Sequence, residues 1–267
     1  MRLQNISKFK YWPQMAVLAF LLAGYVAYRY LAYYDTRSND AYVSAHLVNM
    51  AALVSGSVTR IYVKDNQRVK KGDKLIEIDS LPYVYAVQQA KSKLNSAQLN
   101  FDKDKADVAK AQLTIARAHF ELDNANYLLN HTILVAPEDG YITNFNLRIG
   151  QYIKKGEGLF ALIETKQWWV VTRYRETALR LIQPGDKAKI MIDMYPGKVF
   201  HGHVDSIGWG INRVQRGNVV PSTLIYSPAT EDWIRIAQRF PVRISIDDLS
   251  DEYPLRIGAS ATTITYR

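Results

Sequence analysis

Two segments of this chain repeat one another at an offset of 84 residues, and what separates them decides how the chain can fold. The first copy, Ser55 to Ile78, reads SGSVTRIYVKDNQRVKKGDKLIEI; the second, Asp139 to Leu162, reads DGYITNFNLRIGQYIKKGEGLFAL. Gly56 matches Gly140, Thr59 matches Thr143 and Gln67 matches Gln151; Lys70, Lys71 and Gly72 match Lys154, Lys155 and Gly156, and Leu75 matches Leu159. The apolar positions run in step as well: Val58 with Ile142, Ile61 with Phe145, Val63 with Leu147, Val69 with Ile153. Identities that include a KKG triplet, all at one offset, argue against chance resemblance between two β segments. Alternating apolar positions mark short strands separated by polar turns. Gly72 and Gly156 fall where a tight turn calls for positive φ, with the lysines before them left in water. One copy of roughly 25 residues cannot bury a core alone, so the two are expected to pack face to face as one sandwich, residues 51–80 with 132–164.

The intervening stretch, 81–131, has no glycine and only Pro82, which suits a first helical turn after Asp79 or Ser80. Apolar or small residues recur in a 4-3-4-3-4 spacing at Tyr83, Val87, Ala90, Leu94, Ala97 and Phe101, and again at Ala111, Ile115, Ala118, Leu122, Ala125 and Leu129. These are two heptad seams. Between them lies Asp102, Lys103, Asp104, Lys105, Ala106 and Asp107, charged and without apolar partners. A single continuous helix would hold its ends roughly 75 Å apart at 1.5 Å per residue, and the half-motifs could not meet. An antiparallel hairpin returns its ends to one place, with the tip near Ala106 and arms reaching roughly 35 Å.

Tyr11 to Tyr28 is a run of 18 uncharged residues with the apolar centre MAVLAFLLAGYVAY. It is long enough to cross most of a bilayer, with Arg29 able to snorkel. Tyr11 and Trp12 stand at one end, and Tyr28, Tyr30, Tyr33 and Tyr34 at the other, as in an aromatic belt. Arg2, Lys8 and Lys10 precede it, which places the N-terminus in the cytoplasm and the remainder across the membrane. A cleaved signal peptide is the alternative, but the run is long for one and Tyr30 to Asp35 is bulky where a small-residue cleavage site belongs. The formal charge of +9 falls to +5 over residues 35–267 (30 basic against 25 acidic), scattered along polar faces, which speaks against nucleic acid. With no cysteine, disulfides, thiolate metal sites and cysteine nucleophiles are excluded.

From residue 165 onward the chain alternates β-rich runs with turns: QWWVVTRY from Gln167, AKIMID, KVFHGHVDSIG, RFPVRISID and SATTITYR. Gln183-Pro184-Gly185-Asp186 and Tyr195-Pro196-Gly197-Lys198 are turn signals. With Ala41 to Asn49 returning from the linker segment 35–50, residues 165–267 are expected to form a small antiparallel barrel. Arg175 to Ile182 reads as a short helix and Ile211 to Glu231 as a long loop.

Candidate chemistry is sparse. His201-x-His203 places two imidazoles on one strand face, but no third ligand follows at a recognisable spacing, so surface histidines are favoured over a metal site. Asp102, Asp104 and Asp107 alternate with lysines and read as a solvated tip or contact surface rather than a cation site. Glu176, Asp186 and Asp205 give no acid/base pair from spacing alone. No phosphate-binding, dinucleotide-binding, nucleophile-elbow or metalloprotease motif occurs. No catalytic, cofactor or metal residue is expected.

A split sandwich with a helical hairpin between its halves resembles the HlyD-type periplasmic adaptor, or membrane fusion protein, family. NDAYVSAHLVNMAALVSGSVTRIYVKDNQRVKKGDKL resembles the start of its Emr/Aae branch, which serves multidrug and aromatic-acid exporters. ILVAPEDGYITNFNLRIGQYI resembles that branch's second half-motif, and WIRIAQRFPVRISID, Trp233 to Asp247, its late barrel strand. The resemblance implies an elongated, multi-domain α+β chain: an N-terminal transmembrane helix (1–34), a split biotinyl/lipoyl-like β-sandwich, an inserted antiparallel α-helical coiled-coil hairpin and a membrane-proximal β-barrel. It implies a single-pass inner-membrane protein with its bulk in the periplasm and no enzymatic activity. The expected partners are an inner-membrane transporter and further copies of itself in a trimer or hexamer ring, with contact to an outer-membrane channel left open. Structural turns are expected at Gly56, Gly72, Gly140 and Gly156. Val87, Leu94, Phe101, Ile115, Leu122 and Leu129 are expected in the hairpin seam, and Asp102 to Asp107 at the partner contact. Two departures stand out. The hairpin is short, and the Arg, Leu, Ser pattern by which some members dock on outer-membrane channels is absent from Arg117, where the positions hold Glu121 and Leu128.

Two other readings remain. Such sandwiches also carry biotin or lipoate on a lysine, which would make the chain part of a multienzyme complex. The carrier lysine stands on the turn joining the halves, however, and here about 50 residues of heptad sequence replace that turn, leaving Lys71 and Lys155 in other turns. An envelope scaffold without a transporter is the third reading.

Overall fold

The computed structural model describes residues 12–33, 36–103, 108–213, 225–227 and 237–267. In chain order the elements are α1 (Trp12–Tyr33), β1 (Arg37–Ala51), β2 (Gly56–Ile61), β3 (Arg68–Val69), β4 (Lys74–Ile78), α2 (Leu81–Lys103), α3 (Val108–Asn130), β5 (Ile133–Val135), β6 (Gly140–Thr143), β7 (Tyr152–Ile153) and β8 (Gly158–Arg175). They continue with α4 (Glu176–Leu179), β9 (Lys187–Ile192), β10 (Val199–Ile207), β11 (Asn212–Arg213), β12 (Tyr226–Ser227), β13 (Arg239–Ile246) and β14 (Ser260–Tyr266). The chain forms two compact units, Met1–Ser44 with Gln167–Arg267, and Ala45–Lys166; β1 and β8 contribute residues to both.

In the second unit the repeated segments exchange strands. Gly56 and Ser57 of β2 pair with Ile153 and Tyr152 of β7, and 84 residues on, Gly140 and Tyr141 of β6 pair with Val69 and Arg68 of β3. Within each copy, Val58 opposes Ile78 across β2 and β4, and Ile142 opposes Leu162 across β6 and β8. Each strand that crosses over carries one large apolar side chain into the other half's core. Val69 and Leu75 are buried with Ile142, Phe160 and Leu162, and Ile153 is buried with Val58, Ile76 and Ile78. Neither half has a closed core without the other, as expected for pieces of this size.

Helices α2 and α3 pack on each other between β4 and β5. Tyr83 near the start of α2 and Leu128 near the end of α3 reach the same sandwich cluster, so the two helices run antiparallel. Lys93 Nζ to Glu121 Oε2, at 2.9 Å, sets their relative level. Along α2 the residues through Asn100 that are not exposed are Tyr83, Val87, Ala90, Leu94 and Ala97. On α3 they are Ala111, Ile115, Ala118, Leu122, Ala125, Asn126, Leu128 and Leu129. Two of these, half-buried Asn126 and Leu128, stand outside the heptad spacing, and Leu128 is the one that reaches the sandwich.

In the first unit the strand order β1-β14-β9-β10-β13-β8, with a further β1–β8 pairing, closes into a ring of strands. Side chains alternate in and out with the pleat. Val170, Thr172 and Tyr174 of β8, Ile190 of β9, Phe200 and Val204 of β10, and Val242 and Ile244 of β13 are buried. Among them lies a chain of hydroxyls: Tyr174 Oη lies 2.8 Å from Thr263 Oγ1, which donates to Thr172 Oγ1 at 3.2 Å. Gly202 of β10 sits where a Cβ would run into the carbonyl oxygen of Ser245 on β13, so only glycine permits that approach. The expected helix over Arg175 to Ile182 is the single turn α4. Of the stretch read as a loop, β11 and β12 form a short parallel pair, while 214–224 and 228–231 lie outside the described residues.

α1 spans the apolar N-terminal run. Its side chains are described from 14 to 27, and all are exposed, Phe20 at 81%. Among the described residues no helix is long and apolar enough to cross a membrane. The transmembrane helix expected within 1–34 is therefore not shown by the structure.

Candidate interaction surfaces

The repeat is held together at its turns by hydrogen bonds that occur twice, 84 residues apart. Gly72 N donates to Ala136 O at 2.8 Å, and Gly156 N to Ala52 O at 2.7 Å. Ala136 N donates to Asp73 O, and Ala52 N to Glu157 O. Ile142 N donates to Gln67 O, and Val58 N to Gln151 O. The lysines join the pattern: Lys71 N donates to Asp139 Oδ1 at 2.7 Å, and Lys155 N to Ser55 Oγ at 2.9 Å. Every one of these bonds crosses from one half to the other. Gly72 and Gly156 stand at φ +87° and +83°, the left-handed region where a side chain is strained. Gly56 and Gly140, also expected at turns, instead open strands β2 and β6, where a Cβ would meet Ile78 Cγ2 in the first and the carbonyl oxygen of Ile163 in the second.

Sequence reasoning aligned Ser55 with Asp139 but did not show that each caps the other half's KKG turn. Nor did it show that Asp65 Oδ1 accepts from Phe145 N. For Ser55 and Asp139 the 84-residue offset carried the signal; the position matching Asp65 is Ile149, whose side chain cannot accept a hydrogen bond.

The lysines are not equivalent. Lys71 Nζ lies 2.7 Å from Glu138 Oε1, and that hydrogen bond, with the attraction of the same carboxylate, raises its pKa above the ordinary lysine value. The position matching Glu138 in the other half is Val54, which is buried. Both lysines lie in turns within a half. The connection between β4 and β5, where a carrier lysine would stand, is occupied by α2 and α3.

Of the residues expected in the seam, Val87, Ile115, Leu122 and Leu129 are half-buried and Leu94 is buried; the side chain of Phe101 lies outside the described residues. So do the side chains of Asp102 and Lys103 and the whole of 104–107, and with them the expected tip contact.

On the outer face of the barrel, Asp40 receives Arg239 at 3.2 Å and lies 3.5 Å from Arg173, whose guanidinium stands over the Tyr42 ring. Arg243 lies over Trp169 at 3.9 Å and reaches Asp205 at 3.2 Å. This arginine and aspartate cluster, laid over half-buried Tyr42 and buried Trp169, was not singled out in the sequence, where its members are scattered over four strands. Each candidate histidine is taken up by a different aspartate, His201 by Asp248 at 3.4 Å and His203 by Asp247 at 2.9 Å. No group of three or more ligands able to hold a metal occurs among the described residues. The carboxylates considered for acid/base work have separate local roles, Asp186 accepting from the Gln183 amide and Asp205 pairing with Arg243.

Two domain families match this chain. Residues 46–165 match the RND membrane fusion protein barrel-sandwich hybrid domain, and residues 167–266 the AAEA-like β-barrel domain. Among full-length relatives, Escherichia coli K12 YdhJ, itself uncharacterized, is 30% identical, with 97% of this chain and 98% of that protein covered. The multidrug resistance protein MdtN of Shigella flexneri is 29% identical over 94% of each chain. Among solved structures, a MacA–MexA chimera carrying the Pseudomonas aeruginosa MexA α-hairpin domain has the same fold. It superposes with a TM-score of 0.67 at 21% identity, covering 86% of this chain and 82% of that one.

Proposed function

This chain belongs to the HlyD-type periplasmic adaptor (membrane fusion protein) family, in its Emr/Aae branch, and on that premise we propose that it couples one inner-membrane exporter of small molecules to the outer envelope. Adaptors of this family serve efflux, and MdtN, the relative named for multidrug resistance, supports drugs as the exported class; aromatic acids are the alternative that the resemblance to the branch implies. The observation that carries the reading is the interrupted sandwich. Its halves are tied by reciprocal bonds at both KKG turns, and the connection where a carrier lysine would sit is given over to helices. This arrangement supports an assembling role over that of a lysine-linked carrier.

In this reading α1 is the membrane anchor, with the N-terminus cytoplasmic and the rest periplasmic. The apolar run and the exposed side chains of residues 14–27 support that placement, because such a surface is stable in lipid and not in water. The barrel, with its arginine and aspartate outer face, meets the transporter. The helices act as a coiled-coil hairpin with Asp102 to Asp107 at the distal contact, and copies assemble as a trimer or hexamer ring through which substrate passes. No covalent chemistry is involved.

The test is in-cell crosslinking from one position in 102–107 and one on the barrel face, with mass spectrometry of the captured proteins. A transporter caught from the barrel supports the reading. A chain that stays monomeric in mild detergent, captures no transporter and leaves drug susceptibility unchanged when deleted would overturn it. Reversal of the charges at Asp102, Asp104 and Asp107 is expected to reduce export with folding intact; unchanged export removes the tip assignment.

A further inference from the structure

Behind the buried seam each hairpin helix carries a second set of residues at seven-residue spacing, and this one is exposed. On α3 it is Leu113, Phe120 and Tyr127, at 53%, 81% and 53% exposure. On α2 it is Tyr85, Ser92 and Leu99, with Tyr85 at 69% and Leu99 at 60%. Each stands two residues beyond a seam position, a rotation of about 200° at 100° per residue, and so on the side of its helix turned away from the other helix. Large apolar groups three times in succession at that outermost position are unexpected on a solvated helix.

The two backs correspond level by level. Because Lys93 meets Glu121, Ser92 lies near the height of Phe120, Leu99 near Leu113, and Tyr85 near Tyr127. At the middle level one back has the smallest side chain of its set and the other has the most exposed. The back of α2 is also ready to be covered. The Ser92 hydroxyl donates to Gln88 O and that of Ser96 to Ser92 O, both at 3.0 Å, so excluding water strands neither. Its flanking positions are Gln88, Gln89, Asn95 and Ser96, without a charge to desolvate.

We propose that in the assembled protein the back of α3 packs against the back of α2 of a neighbouring copy, with Phe120 seated over Ser92 between Tyr85 and Leu99. This rests on the adaptor reading above and assigns the surface by which the hairpins meet. The partner is a second copy because copies related by rotation about a common axis stand at equal height, which matches the three levels in register. The contact is head-to-tail, and such contacts close into rings. Its aromatic groups offer on the order of 150–250 Å² each. Their sum falls below the ~1,200–2,000 Å² of a stable pairwise interface, so the contact holds in a closed ring and not in a free dimer.

The absence of native cysteine makes the test clean. In the full chain in membranes, Ser92→Cys with Phe120→Cys should give, on mild oxidation, a ladder of covalent oligomers. The two positions of one hairpin lie on opposite backs, two helix diameters apart, beyond disulfide reach. Ser92→Cys with Leu113→Cys, displaced by about 10 Å along the helix, should give none. Differently tagged copies carrying one substitution each should yield only mixed dimers. Phe120→Ala should raise the concentration needed for assembly by roughly tenfold, with helicity unchanged. Dimers from Phe120→Cys alone would overturn the proposal. So would an oligomer by native mass spectrometry without the Ser92–Phe120 ladder, which would leave the adaptor reading standing with another surface in contact. A monomer throughout would remove both.

Discussion

The amide of Lys71 donates to the carboxylate of Asp139 across 68 residues of chain, and the matching bond from Lys155 to Ser55 spans 100. The same relation is thus made with a charged acceptor in one direction and a neutral one in the other. Asp139→Ala is expected to destabilise the sandwich by about 1–3 kcal/mol and Ser55→Ala by about 0.5–1.5 kcal/mol, following the usual difference between ionised and neutral acceptors. Urea unfolding of the two variants measures both, and equal losses would show that the charge contributes nothing.

The four glycines of the repeat separate into two kinds. At Gly72 and Gly156 a Cβ meets nothing within 4 Å, so only backbone strain opposes substitution. Alanine there should cost about 1–2 kcal/mol, and asparagine less. At Gly140, and at Gly202 of the barrel, a Cβ would meet a carbonyl oxygen, and alanine should cost more than at the turns because strands must separate to admit it. Thermal melting of Gly72→Ala, Gly72→Asn and Gly140→Ala orders the three.

Leu94 is buried between the hairpin helices, whereas Leu99, five residues on, is exposed. Leu94→Ala should lower stability by roughly 2–4 kcal/mol, with loss of helical circular dichroism, while Leu99→Ala should be within about 0.5 kcal/mol of wild type in the monomer. Similar losses at both positions would contradict the burial pattern.

The bond between Lys71 and Glu138 has a defined pH dependence. The folded-state pKa of the lysine is raised, so its contribution is fully present below the unfolded-state value and disappears as pH rises through the folded-state one. The melting-temperature gap between wild type and Lys71→Met should be constant from about pH 6 to about pH 9, and close above the ordinary lysine value of about 10.4. The pair is exposed, so the gap is small and shrinks with salt. A gap that widens in alkali would exclude the ion pair as its source.

Much of the fold was legible in the sequence for one reason: duplication turns a long-range contact into a local comparison. Gly56 beside Gly140 and Val69 beside Ile153 can be aligned without knowing where either lies, and an offset is enough to imply reciprocal packing. The barrel was legible more weakly, from alternation in segments such as Lys187–Ile192 and Ser260–Tyr266. Its closure through β1 and β8 depends on pairings that no local pattern encodes. The outer surface was harder still. Arg173, Arg239 and Asp40 come from three strands, gathered by the register Pro241 opposite Arg173 and Arg239 opposite Arg175 together with the pairing of β1 with β8. The stripe Leu113–Phe120–Tyr127 was present as a seven-residue spacing, but it shares its helix with a stronger seam two residues away, and periodicity alone does not say which of two stripes faces inward.

The nesting of the elements fixes the order in which the chain can complete itself during synthesis. α2 and α3 need only one another, and the sandwich around them needs residues no later than β8. β1, made before either, must wait for β14 to supply its partner, Arg37 opposite Ile264. Maturation therefore proceeds from the inside of the sequence outward. The ring of strands closes last, because the loop it must tie off is nearly the whole chain and carries the greatest entropic cost of closure. Until that strand emerges, one edge of β1 remains unpaired and open to misassembly with other chains.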